Sequence, residues 1–231
     1  MRLHRNEGLW DRIPGSSKRD WGNVTEHCLV ETARVIVLAD LLKLSDETKA
    51  ELKLAAAMHD FFKKGEKQTV EAGGLNWASF EEASNRATAI MRENGISEGV
   101  VRLVNSVGHG SLLETEEILA KPELDENDLS YLVMHYVDDY TVQNTWVGEG
   151  DPLQDRMVAN SSNARYAVLN EEGRAYFNGE TSYEAQGRIG HAVEERPAQE
   201  IQRRAGIIIL PRDTPHVVDN RISEAINGIA F

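Results

Sequence analysis

The chain has 231 residues, a length that suits one domain, or one domain with a substantial appendage, and that allows a sizeable core. Apolar residues make up 41% and charged residues 27%, as in ordinary soluble globular proteins, and no apolar run approaches the roughly 18 residues that span a bilayer. The single cysteine, Cys28, excludes a disulfide framework and a cysteine-rich zinc site within one chain. Residues 1–22 lack the apolar core of a secretory signal, so we expect a cytoplasmic protein that does not associate with membranes.

The charge balance bears on the partners of the chain. With 25 basic and 38 acidic residues, the net charge is −13 at pH 7. Such a surface repels the phosphate backbone of nucleic acids, so nucleic acid is disfavoured as a partner. A small anionic substrate is compatible with this charge if a metal ion and local basic residues reverse the field inside a pocket.

Hydrophobic spacing in the first part of the chain predicts helices. Residues 1–22 are predicted to form an irregular arm. Apolar residues then recur at helical intervals over about 23–44. Ser45, followed by two acidic residues, predicts the start of a second helix that stops near Gly65. The polar segment 63–77 is predicted to be a loop.

The rest of the chain continues this pattern. Further helices are predicted over 78–93, 97–107, 128–144 and 152–170, with a connection over 115–127. Thr181 and Glu184 match a capping box that opens another helix. The segment 206–210 is the one predicted buried strand. Strands and helices do not alternate, which favours an all-α fold over a doubly wound α/β fold.

An ordered set of metal-binding side chains follows these helices. His27 lies in the first helix, His59 and Asp60 are adjacent near the end of the second, and Asp138 lies on the helix over 128–144. Adjacent residues on a helix differ in direction by about 100°, so the pair can bind one ion only if the ion lies between them and other helices add ligands. Two imidazoles and two carboxylates suit manganese, iron, zinc, cobalt or nickel. Such an ion lowers the pKa of a bound water.

The set resembles that of the HD superfamily of metal-dependent phosphohydrolases, over about residues 20–145. The sequences TEHCLVETA, AAAMHDFFKK and YVDDY resemble the family segments that carry these residues. The resemblance implies an all-α HD-domain bundle of five core helices, with His27, His59, Asp60 and Asp138 as metal ligands. Asp138 is preferred over Asp139 because the family aspartate usually follows a small or apolar residue.

The same resemblance suggests three side chains that act on the substrate. Asp60 is expected to orient the attacking water or take its proton. Lys63 is the third residue after the pair, as in family members that hydrolyse cyclic nucleotides and dinucleotides. Lys63 and His109 are expected to stabilise negative charge on the phosphoryl group. A solvated position for Lys63 and an outer-ligand role for His109 are alternatives.

The number of metal ions follows from one departure from the family. A binuclear branch adds two histidines between the pair and the final aspartate. His109 resembles the second, but the segment FEEASNRATAI, where the first should fall, contains no histidine. Glu81 or Glu82 is an alternative ligand there. We therefore expect one tightly bound divalent metal ion.

The preferred function is hydrolysis of a phosphoester or phosphoanhydride in a small phosphorylated substrate, expected to be a nucleotide. Alternatives are a di-iron oxygenase on the same scaffold, which would need both metal positions, and a noncatalytic nucleotide-binding HD module. A nuclease is disfavoured by the net charge. The predicted organisation is an N-terminal arm over 1–22, an HD-type hydrolase domain over 23–145, and a mostly helical C-terminal extension over 146–231 that packs on the HD bundle.

Overall fold

The computed structural model describes residues 2–16, 18–142, 145–146 and 166–228. Within these ranges the chain forms eleven α-helices and one small antiparallel sheet, so the predicted all-α fold is confirmed. The helices are α1 Arg2–Asn6, α2 Gly22–Leu41, α3 Asp46–Ala56, α4 Lys63–Gly73, α5 Trp77–Glu93, α6 Glu98–Val104, α7 Leu112–Leu119, α8 Glu126–Asp139, α9 Ala167–Glu172, α10 Ser182–Ala205 and α11 Thr214–Asn227. The strands are β1 Thr141–Val142 and β2 Thr145–Trp146, with Thr141 opposite Trp146.

Helix boundaries follow local sequence signals. Ser45, Ser97 and Asp125 each cap the helix that follows, because the side-chain oxygen accepts a backbone N–H of the first turn. Thr181 and Glu184 form the predicted capping box at the start of α10. The helices predicted over 23–44, 78–93, 97–107 and 128–144 are present as α2, α5, α6 and α8, but α8 ends at Asp139 and β1 takes up part of the predicted last turn.

The second predicted helix and the loop after it are wrong. The helix α3 ends at Ala56, turns occupy 57–62, and α4 forms where a loop was predicted. The glycines of this segment lie where a helix tolerates them. Gly65 lies in the first turn of α4, and Gly74 caps the helix with a φ of +93°. The pair His59-Asp60 therefore lies in turns between two helices, not on a helix.

Three further expectations change. The first part of the predicted connection over 115–127 is helical, because α7 extends to Leu119. This helix buries Leu112, Thr115 and Ile118 along one face. The segment 206–210 is not a buried strand: no described strand pairs with it, and Ile208 is 77% exposed. The predicted arm contains the short helix α1. The helix predicted over 152–170 lies mostly outside the described residues, and its end forms α9.

Most of the core is one cluster of apolar side chains that positions the candidate site, and a smaller cluster forms around Leu9, Val24 and Cys28. Helix α2 packs against α3 and α8, and α3 also packs against α6. Helix α10 packs against α7 and α8, while α11 packs against α2. The part of the predicted C-terminal extension that the structure describes from residue 166 onward thus shares a core with the earlier helices. No helix in the described ranges has the length and apolarity to cross a bilayer.

Candidate metal centre

Four side chains from three segments bring their ligand atoms together. His27, Glu31, His59 and Asp138 each offer one atom, and these atoms all lie within 4.8 Å of one another. Nε2 of His59 lies 3.3 Å from Oε2 of Glu31 and 3.4 Å from Oδ1 of Asp138. Nε2 of His27 lies 2.9 Å from Oε1 of Glu31 and 3.8 Å from Oδ1 of Asp138. We call these four residues the metal group.

Glu31 is the member that the sequence interpretation missed. It follows His27 by four residues on α2, and side chains at this spacing lie on the same face of a helix. Glu31 is a charged residue in a mainly apolar part of α2, and its side chain is fully buried. A carboxylate inside an apolar helix, one turn from a histidine, is a signal from which this ligand could have been predicted.

The backbone fixes the orientation of His59. Its Nδ1 lies 3.0 Å from the carbonyl oxygen of Ala56. A carbonyl only accepts hydrogen bonds, so Nδ1 carries the proton and, in the neutral ring, Nε2 presents a lone pair to the metal group. A metal-binding histidine typically has this arrangement, in which a second hydrogen bond selects the tautomer. The end of α3 at Ala56 is thus what aims the ring.

Helix α8 separates two neighbouring aspartates. Asp138 joins the metal group, whereas Asp139 is buried on another side of the helix. Its Oδ1 accepts a 2.9 Å hydrogen bond from Gln186, and Oδ2 lies 3.2 Å from Nε2 of His135. The ring of His135 is fixed in turn by the carbonyl oxygen of Ser106 at 2.6 Å. The roughly 100° between adjacent helical residues explains why only Asp138 reaches the group.

The arm also reaches this region. Helix α1 places His4 in the interior, where Nδ1 lies 3.1 Å from Oγ1 of Thr25 and Nε2 lies 3.0 Å from the carbonyl oxygen of Ala57. Thr25 precedes His27 by two residues, and Ala57 precedes His59 by two. His4 therefore joins the two chain segments that carry the imidazoles of the metal group.

Asp60 and Lys63 lie at the edge of the metal group. Oδ2 of Asp60 lies 3.9 Å from Nε2 of His59, and its Oδ1 lies 3.4 Å from Nζ of Lys63. Lys63 also lies 3.4 Å from Oε1 of Glu66, and its side chain is 42% exposed. Burial opposes the charge of Asp60, but Lys63 and His59 hold the pKa of Asp60 below its ordinary value. Asp60 is thus an ionised carboxylate beside a cation.

The structure does not bring His109 into the metal group. Its ring packs edge-on against Tyr183, with 4.9 Å between the ring centroids, and Nδ1 is buried without a hydrogen-bond partner. Burial lowers the pKa of His109 to about 4, so the ring is neutral near pH 7. His109 can therefore offer a hydrogen bond but not a positive charge. Glu81 and Glu82, the alternative second-site ligands, are exposed on α5.

Comparison with known proteins adds no relative. No family model, curated protein or solved structure matches this chain.

The chemistry of the group fits a divalent cation. Both carboxylate oxygens of Glu31 and Nε2 of His59 are buried without a hydrogen-bond partner. In the ion-free chain the protonated imidazole of His27 offsets part of the cost of burying these atoms, and a cation would bind all three. The side chains of His27 and Asp138 are 14% and 26% exposed, so one side of the group is open to solvent. A small ion and one further ligand can enter there.

The charges of the group depend on one another. Burial opposes a charge on His27, but Asp138 and Glu31 raise the pKa of its imidazole to about 10. Burial raises the pKa of Glu31. Burial also opposes ionisation of Asp138, yet the imidazoles of His27 and His59 hold its pKa well below the ordinary range. The ion-free group therefore keeps a proton on an imidazole at neutral pH.

Binding of an ion is expected to release that proton. An imidazole must be neutral to bind a metal ion, whereas His27 with a pKa of about 10 is protonated at pH 8. Raising the pH toward about 10 removes the competing proton, so the apparent affinity should rise about tenfold per pH unit for each proton released. Calorimetric titrations with zinc in two buffers of different ionisation enthalpy would count the protons. An affinity that does not change with pH would contradict this expectation.

Proposed function

We propose that this chain is a metal-dependent hydrolase of a phosphoester or phosphoanhydride in a small molecule, expected to be a nucleotide. The observation that carries the proposal is the buried metal group, which combines two imidazoles and two carboxylates with unpartnered ligand atoms. The resemblance of the ordered set to HD phosphohydrolases supports the reaction type. His27, Glu31, His59 and Asp138 would hold one ion, with Asp60 beside them as a further ligand.

The donor set suits manganese, iron, zinc, cobalt or nickel. When bound, such an ion would supply the Lewis acidity that polarises a phosphoryl oxygen and activates water. The two imidazoles make calcium and magnesium less suitable, because these ions take mainly oxygen ligands.

The remaining steps fall to the neighbouring side chains. Asp60 is ionised and lies at the open edge of the group, so it can orient the attacking water and accept its proton. Lys63, at the first position of α4, can bind a phosphoryl oxygen. His109 is neutral, so its proposed part is a hydrogen bond to the phosphoryl group, not the neutralisation of its charge.

The first experiment pairs elemental analysis of the purified chain with a phosphate-release screen over nucleotides, supplemented with manganese, iron or nickel. We expect about one metal ion per chain and release of phosphate or pyrophosphate. Two irons per chain with oxygen consumption and no release would favour the oxygenase. If no metal binds after supplementation, the hydrolase proposal is wrong and a binding module becomes the better hypothesis.

Metal binding is also expected to stabilise the fold. An ion that binds only the folded chain at 100 times its dissociation constant adds about 2.7 kcal/mol. For a chain of this length, that corresponds to a rise in Tm of roughly 5–10 °C. Differential scanning fluorimetry with and without zinc would measure it. A chelator should reverse the shift, and magnesium at the same concentration serves as the poorly matched control.

A further inference from the structure

An open surface cleft of about 530 Å³ lies between α2 and α4. It forms where the chain enters α2 and where the first turns of α4 face that entry. Asp20, Trp21 and Asn23 line one wall, and Lys64, Lys67, Gln68 and Glu71 line the other. A pocket of this volume is suited to a small organic ligand. None of these side chains takes part in the proposed metal chemistry.

Helix geometry connects the cleft to the metal group. Asn23 precedes His27 by four residues on α2, and Lys67 follows Lys63 by four residues on α4. Residues at this spacing share a helix face, with Cβ atoms about 5–6 Å apart. Both walls of the cleft therefore begin one helical turn from residues of the site. A ligand that fills the cleft can place a phosphoryl group beside Lys63 and Asp60.

The lining combines an aromatic face with groups of both charges. Nζ of Lys67 lies 5.7 Å from the centroid of the Trp21 ring. Nζ of Lys64 lies 3.6 Å from the carboxylate of Asp20. An indole ring can stack on the planar ring of any nucleobase, and carboxylates accept hydrogen bonds from sugar hydroxyls and amino groups. The two lysines offset the charges of Asp20 and Glu71, so the lining carries no net charge although the whole chain is strongly acidic.

We propose that this cleft binds the nucleoside part of the substrate. One face of the base stacks on the Trp21 ring, and Lys67 covers the opposite face of the base. The proposal rests on the proposed function, because it places the phosphate of a nucleoside monophosphate beside the metal group. Trp21 then selects substrates that carry a base, and sugar phosphates without one bind weakly.

Two measurements test the cleft. The first is saturation-transfer NMR with adenosine, which has no phosphoester bond and cannot be consumed. Adenosine should bind, and Trp21→Leu should weaken its binding about tenfold or more, while Trp21→Phe restores it. The second compares phosphate release from adenosine 5′-monophosphate and from ribose 5-phosphate. Trp21→Leu should raise KM for the nucleotide about tenfold, whereas KM for the sugar phosphate should stay the same.

A matched lysine pair supplies the control. Lys67→Gln should weaken nucleotide binding, whereas Lys53→Gln, on the exposed surface of α3, should not. If adenosine does not bind, or binds Trp21→Leu as well as the parent chain, the cleft assignment is overturned even where phosphate release continues. If adenosine binding depends on Trp21 but neither substrate releases phosphate, the hydrolase proposal fails and the cleft assignment stands.

Discussion

Replacing Glu31 by glutamine is expected to lower the affinity for a divalent ion by about 100-fold, because a direct ligand should contribute at least as much as the outer partners worth about 10–100-fold. Glutamine keeps the shape of the side chain but loses its negative charge. Both carboxylate oxygens of Glu31 are buried, and they lie 2.9 Å and 3.3 Å from Nε2 of His27 and of His59. Phosphate release at a limiting metal concentration should fall by the same factor.

The chain offers a close control for this substitution. Glu26 lies on the same helix, next to His27, but its side chain is exposed. Glu26→Gln makes the same chemical change and should leave the affinity unaltered. Calorimetric titration of both variants with zinc gives the comparison. Equal affinities in the two variants would remove Glu31 from the metal group.

Replacing Asp60 by asparagine is expected to lower the rate of phosphate release by about 100-fold to 10,000-fold, which is the usual contribution of a positioned general base. The carboxylate is ionised because Lys63 lies 3.4 Å from Oδ1. Asparagine keeps the hydrogen-bonding geometry but cannot accept the proton of the attacking water. Metal content measured on the same preparation shows whether Asp60 is also a ligand, since loss of the ion would assign it to the coordination sphere.

Glu66 is the matched control for Asp60. Its Oε1 lies 3.4 Å from the same lysine, so Glu66→Gln removes an equivalent charge from Lys63 without touching the metal group. We expect a change of less than about threefold in this variant, since the ion pair is partly exposed to solvent. A large loss in Glu66→Gln would show that Lys63 alone explains the effect.

The sequence predicted the fold class because helix periodicity and caps are local properties. Ser45 and Thr181 each cap a helix as predicted. The helix α4 was missed because its polar residues, with Gly65 and Gly74, are typical of a loop. Burial of Thr69 and Val70 stabilises a helix there. The segment 206–210 was misread because an apolar run becomes a strand only if another strand pairs with it.

The site was predictable in part. The order of His27, His59 and Asp138 along the chain indicated which side chains meet, and the structure brings these three together. Glu31 was missed because the interpretation followed motif positions and did not examine which other side chains share the face of His27. The preference for Asp138 over Asp139 came from the family resemblance alone. The hydrogen bond by which Gln186 of α10 holds Asp139 on another side of α8 has no signal in the sequence.

The position of His4 has a thermodynamic consequence for the arm. Because its ring joins Thr25 and Ala57, docking of α1 and alignment of the two imidazoles of the metal group are coupled events. Such coupling is reciprocal: if docking tightens ion binding by a given factor, the ion tightens docking by the same factor. Zinc should therefore protect residues 2–9 from proteolysis, although none of them belongs to the metal group. The arm would then report occupancy of the centre from outside it.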